Sequence, residues 1–225
     1  MVVEKCSLQP GGGGCVKSGD TTMRDRSIRG RENQVDQEQA WLDRARDGSK
    51  EAFSRLVEAY QTPVYNLAYR MLGNRGEAEE AAQETFLRAY TQLHRYNPAF
   101  KFSTWMLSIA SNHCIDILRK RRITWLSLDE PLPGEYAPQL SSNRPDPERA
   151  TEDAETERQV RALLDELQPD YRAAVILRYW YELPYDEIAS AMDTTVSAVK
   201  SRLFRARKML AAAAQEAGLA VAESV

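Results

Sequence analysis

YDEIASAMDTTVSAVKSRLFRARKML, Tyr185 to Leu210, divides into a short helix, a turn and a longer helix. Tyr185–Met192 is amphipathic, with Ile188 and Ala189 expected to face inward. Asp193-Thr194-Thr195 makes a tight turn, and Asp tolerates the left-handed backbone that such turns often need. Beyond it Val196, Val199, Leu203, Ala206 and Leu210 recur at steps of three and four, which stacks them on one helical face. The opposite face carries Ser197, Ser201, Phe204, Arg205 and Lys208, with Lys200, Arg202 and Arg207 on its flanks. From Thr194 to Leu210 there are five basic residues and no acid, in a chain whose formal net charge is −3. A basic outer face on the second helix of such a pair is helix-turn-helix patterning, and it concentrates positive charge where a DNA groove would lie.

Each residue type on that face has a definite capacity. Arg and Lys neutralise phosphates and release counterions, and Arg also binds a guanine edge bidentately. Ser197 and Ser201 are short enough for the backbone to approach base edges. Phe204, a large apolar group on a polar face, suits a thymine methyl. The competing reading is a solvated basic helix packed on its neighbour.

Working outward, the chain sorts into segments. Residues 1–35 hold the run Gly11–Gly14 and little apolar periodicity, the composition of a flexible tail. Residues 36–126 are continuously helix-compatible. The stretch 127–157 carries five prolines and nine acids against two arginines, which favours an extended acidic tether. Helical patterning resumes over 158–217, and 218–225 is a terminal tail. The fold class is all-α: two small helical domains joined by a flexible linker.

In the first domain four helices are expected. One covers roughly 36–47. The next is capped by Ser49 and runs to Leu72, where GNRG stops it, and Pro63 is expected to bend or break it. The third, Glu77–His94, opens with EAEE, the sign a helix N-terminus prefers. The fourth, Phe102–Arg122, ends in RKRR. Between the last two, RYNPAFK (Arg95–Lys101) is a loop held by Pro98.

FSTWMLSIASNHCIDILRKRRITW, Phe102 to Trp125, sets aromatics beside basic groups. Single-stranded nucleic acid needs both, planes for its bases and charge for its backbone, although a core role for Phe102 and Trp105 is the simpler alternative. The Glu77–His94 helix, with small residues, acids and a Gln, suits either a bundle or a partner's helices.

Other classes fit poorly. No apolar run reaches the length of a membrane span and no secretory leader is recognisable. Cys6, Cys15 and Cys114 lack disulfide or metal spacing, so a reducing cytoplasm is expected, with Cys114 as a core thiol. His94 and His113 are the only histidines, and no carboxylate pair stands in an apolar setting, so an enzyme is not expected.

These segments resemble bacterial RNA polymerase sigma factors of the extracytoplasmic-function (ECF) type, which keep only regions two and four. EAEEAAQETFLRAYTQLHRY resembles region 2.2, FSTWMLSIASNHCIDILRKRR regions 2.3 and 2.4, and YDEIASAMDTTVSAVKSRLFRARKML region 4.2. The likeness spans about Glu38–Ala214. It implies that Glu80, Gln83, Glu84 and Phe86 bind the clamp helices of the polymerase's largest subunit, with the flap as a further contact. Asn97 lies in the loop that would capture a flipped base of the minus-ten element. Lys101, Phe102 and Trp105 fall at strand-opening positions, and Asn112, Asp116, Arg119 and Lys120 on the minus-ten reading surface. Ser197, Lys200, Ser201, Arg202, Phe204, Arg205, Arg207 and Lys208 would meet the minus-thirty-five element, with Arg202 and Arg207 near phosphates. Asp193 stands where the family often has Gly, and Ser197-Ala198 where Gly-Thr is common. The implied partners are core RNA polymerase, promoter DNA both double- and single-stranded, and an anti-sigma factor. No cofactor, metal or small-molecule substrate is implied. A DNA-reading regulator with an unrelated effector domain is the rival, and it leaves Phe102–Trp125 unexplained.

Overall fold

The computed structural model describes residues 37–127 and 152–217, with side chains over 37–122 and 155–217. The expected N-terminal tail, the C-terminal tail and residues 128–151 of the tether lie outside the described residues. Within them the regular structure is helical: α1 (37–46), α2 (Lys50–Leu72), α3 (Arg75–Gln92), α4 (Phe102–Ser127), α5 (Glu152–Asp165), α6 (Pro169–Tyr179), α7 (Tyr185–Ala191) and α8 (Val196–Glu216), with a 3-10 turn over Leu93–Arg95.

The helix ends follow local chemistry. Ser49 Oγ accepts the Ala52 amide at 3.3 Å and so caps α2. Gly73 closes the same helix in the left-handed region (φ 74°), and its amide donates to the Tyr69 carbonyl, a conformation costly for any residue with a Cβ. Asn74 then caps α3, its Oδ1 accepting the Glu77 amide at 3.1 Å, so α3 begins two residues before the expected Glu77.

Three expectations need correction. Pro63 does not break α2, which is continuous through it; Val64, Leu67, Ala68 and Met71 beyond it are buried, and that packing outweighs one lost backbone hydrogen bond. Helix α4 extends past Arg122 to Ser127. Helix α5 starts at Glu152, inside the stretch read as tether, because a run of acids and alanine without proline is itself helix-compatible.

The first four helices pack around Leu56, Val64, Leu67, Met71, Phe102, Met106 and Ala110. Helices α6–α8 close on Ala174, Ile176, Leu177, Ile188, Val199 and Leu203. The two halves also touch: α6 and α7 lie against α4, and α5 and α6 against α2.

Candidate nucleic-acid interface

Helix α8 is entered through a turn in which Asp193 holds φ 47°, the left-handed conformation that the sequence anticipates for Asp at this position. Thr195 caps it, with Oγ1 accepting the Ala198 amide at 3.1 Å. Val199, Leu203 and Ala206 are buried and Leu210 is partly buried, as their spacing requires. Val196 is the exception: it is 38 % exposed, because its place in the first turn lifts it past the edge of the core.

The outward face is intact. Ser197, Lys200, Ser201, Phe204, Arg205, Arg207 and Lys208 are all exposed, Phe204 by 53 %. Lys208 Nζ lies 4.8 Å from the Phe204 ring centroid, so the ring is held beside a cation rather than buried. Arg205 Nη1 donates to the Tyr171 hydroxyl at 3.4 Å. Arg202 is set apart: it is partly buried and its Nη2 lies 4.0 Å from Asp170 Oδ1.

The second candidate surface is built by α4 and the loop before it. Tyr96 anchors the loop, donating its hydroxyl proton to the Phe100 carbonyl at 2.7 Å, while Arg46 Nη2 donates to the Tyr96 carbonyl at 2.6 Å. Asn97 Oδ1 accepts the Ala99 amide at 3.0 Å, so this side chain shapes the loop itself. Phe102 is 2 % exposed and ringed by Tyr60, Tyr96 and Trp105, so its side chain lies in the core, the simpler of the two roles weighed for it. Trp105 is partly buried on the same cluster. Asp116 and Lys120 are exposed. Lys101, Asn112 and Arg119 each meet the second half of the chain. Lys101 Nζ lies 3.0 Å from Glu187, Asn112 Nδ2 donates to the Ala191 carbonyl at 3.2 Å, and Arg119 Nη2 pairs with Asp170 at 2.9 Å.

The third surface is on α3. Glu80 and Gln83 are exposed. Arg88 Nε donates to Glu84 at 2.6 Å, and that hydrogen bond holds the Glu84 carboxyl below its ordinary range. Phe86 is partly buried against the core, whereas Leu87 (59 % exposed) and Tyr90 (40 %) stand out on the face with Glu80 and Gln83. Sequence reading passes over Leu87 and Tyr90. The signal for them is the i, i+4, i+7 spacing from Gln83 through Leu87 to Tyr90, which joins large apolar groups to a polar surface.

Comparison with known proteins matches each half of the chain to a family model. The family model for Sigma-70 region 2 matches residues 56–123, and that for Sigma-70, region 4 matches residues 157–210. The chain is 34 % identical over 173 residues to the ECF RNA polymerase sigma factor SigW of Bacillus subtilis, covering 75 % of this chain and 92 % of that protein. In fold it is similar to the solved structure of CnrH in complex with the cytosolic domain of CnrY (TM-score 0.56, 22 % identity, 78 % of this chain and 96 % of the other). It is also similar to that of the sigma factor RpoE in complex with the anti-sigma factor NepR from Bartonella quintana (TM-score 0.54, 19 % identity, 72 % and 96 %). The chain belongs to the ECF RNA polymerase sigma factors, with regions two and four. Its function is promoter-directed initiation of transcription.

Proposed function

We propose that the exposed face of α8 reads the minus-thirty-five duplex while the loop at Arg95–Lys101 and α4 hold the opened minus-ten strand. One observation carries the reading: α8 turns its apolar residues inward and leaves Ser197, Lys200, Ser201, Phe204, Arg205, Arg207 and Lys208 on a single outward surface. A merely solvated helix has no need of an exposed Phe among serines and arginines; a groove-reading helix uses all three. Arg205 and Lys200 face base edges, Ser197 and Ser201 permit close approach, and Arg207 and Lys208 neutralise phosphate. On the other surface Asn97, Lys101, Trp105, Asn112, Asp116, Arg119 and Lys120 contact the parted strand, with Phe102 supporting Trp105 and the loop from beneath.

Core polymerase docks on the α3 face through Glu80, Gln83 and Glu84, extended by Leu87 and Tyr90; Phe86 positions that face from its core side. The clamp helices are the partner there, and the flap meets the second half. Two modest DNA contacts carried on one polymerase gain through effective concentration, so neither has to be tight alone. The protein acts by binding, without a catalytic step or cofactor, in the cytoplasm. The solved complex of RpoE with the anti-sigma factor NepR supports an anti-sigma factor as a further partner. The test is run-off transcription with purified core polymerase. Promoter-specific RNA is expected only when this protein is added, and initiation that is equally specific without it would reject the reading.

A further inference from the structure

Phe100 is 48 % exposed, although it is a large apolar side chain on a tightly bound loop. Among the described residues, the other exposed groups of this kind lie elsewhere. Leu87 and Tyr90 are on the α3 face, Val196 and Phe204 on α8, and Tyr179 and Trp180 at the end of α6. Phe100 stands three residues after Asn97 and one before Lys101. Its backbone is fixed on both sides. The Phe100 amide donates to the Asn97 carbonyl at 3.1 Å, closing a four-residue turn with Asn97 first and Pro98 second, positions that Asn and Pro favour. The Phe100 carbonyl accepts the Tyr96 hydroxyl proton at 2.7 Å. Tyr96 is held in turn by Arg46, the last residue of α1. Arg46 Nη2 donates to the Tyr96 carbonyl at 2.6 Å, and the guanidinium lies 5.6 Å from the ring centroid.

An apolar ring left in water contributes little to the fold, since its stabilising free energy comes from burial. Its surroundings are cationic. Arg95 and Lys101 are exposed on either side of it, and the loop from His94 to Lys101 contains no acid. Lys101 Nζ lies 3.0 Å from Glu187, yet the lysine remains exposed. A fixed aromatic plane between cations suits an unpaired base, with the ring stacking on the base and the cations meeting the backbone. We propose that Phe100 is a stacking platform for one base of the opened promoter strand, next to the base taken up at Asn97. This rests on the reading of the loop as part of the minus-ten surface. The chemistry sets the consequences. Every base has a π-face, so the ring requires a plane and no particular hydrogen-bond pattern. An aliphatic side chain keeps the apolar contact but offers no such plane, and it cannot stand in for the ring. Paired DNA presents no free base face, so Phe100 acts once the strands have parted.

The experiment assembles the full chain with purified core polymerase on a promoter that supports run-off transcription. Affinity is measured for a labelled form of that promoter whose minus-ten segment is held open by mismatches. Phe100 is exposed, so its variants keep the fold, which circular dichroism verifies. Phe100→Ala and Phe100→Leu are expected to weaken binding about tenfold, and Phe100→Trp to bind as the parent does. Abasic sites placed singly along the open strand locate the stacked base. At one position, loss of the base should cost the parent protein about tenfold and Phe100→Ala nothing further. Parent-like binding by Phe100→Ala overturns the proposal, and so does parent-like binding by Phe100→Leu. Penalties that add at every abasic position overturn it too, because the ring then acts only through the shape of the loop. Should Phe100 fail, Asn112→Ala/Lys120→Ala on the same probe separates the two readings. Weakened binding leaves the minus-ten assignment standing without Phe100, and unchanged binding removes that assignment as well.

Discussion

The ring of Phe102 meets that of Tyr96 edge-on, with centroids 5.3 Å apart and planes at 83°. This contact joins the first residue of α4 to the loop that precedes it, and Tyr60 and Trp105 complete the cluster. Phe102→Ala is therefore a core deletion first and a DNA variant second. It is expected to lower stability by about 3–5 kcal/mol, the usual cost of emptying a buried aromatic site. Trp105→Ala, at a partly exposed ring, should cost less stability and more promoter opening. Urea unfolding beside permanganate footprinting of the minus-ten region separates the two, and a Phe102→Ala protein of unchanged stability would contradict the burial.

On α8 two arginines should respond differently. Arg205→Ala removes a residue proposed above to face base edges. It is expected to cost about 1–3 kcal/mol at a promoter that depends on its minus-thirty-five sequence, and to relax preference at one base position. Arg207→Ala should weaken all duplexes alike and shallow the log–log salt dependence by about one. Titrations at several salt concentrations, with cognate and scrambled duplexes, distinguish them. Core polymerase affinity should be unaffected in both.

Leu87 and Phe86 are neighbours in sequence that point to different environments. Leu87→Ser is expected to leave the melting temperature within about 1–2 °C, because a surface substitution usually changes stability by no more than about 0.5 kcal/mol. Its affinity for core polymerase should fall about tenfold, the equivalent of about 1.4 kcal/mol. Phe86→Ala should instead lower the melting temperature. Equal polymerase binding by Leu87→Ser and the parent protein would remove Leu87 from the docking face.

Cys114 is fully buried, and burial pushes its thiol up to about 12. Since the thiolate is the reacting form, the folded protein should not label there at pH 8. In a Cys6→Ser/Cys15→Ser background, uptake of a thiol reagent should coincide with the urea unfolding transition. Prompt labelling of the native state would show the site to be open.

Much of the helix-turn-helix could be read from the chain because its determinants are local. The apolar spacing of Val199, Leu203 and Ala206, the Thr195 cap and the left-handed Asp193 each act within a turn or two. The Ser49 cap and the GNRG break were legible for the same reason. Val196 and Phe102 were harder, since a residue at a helix start satisfies a periodic pattern whether or not the core extends that far. That α2 would run unbroken through Pro63 was not legible, because local propensity yields to the packing of the residues beyond it. Least visible were Asp170 and Glu187. Their partners Arg119 and Thr104 stand 51 and 83 residues away, and no periodicity links such pairs.

Helix α4 carries the chain to Ser127, and the next described residue is Glu152. A polypeptide of that intervening length can span on the order of 80 Å when drawn out, far more than adjoining helices require. Covalent connection thus sets only a generous upper limit on how far the halves can stray, and among the described residues it is the contacts of α5, α6 and α7 with α2 and α4 that keep them adjacent. A single proteolytic nick in 128–151 would turn the molecule into two fragments, and the dissociation constant of that pair would measure the grip directly.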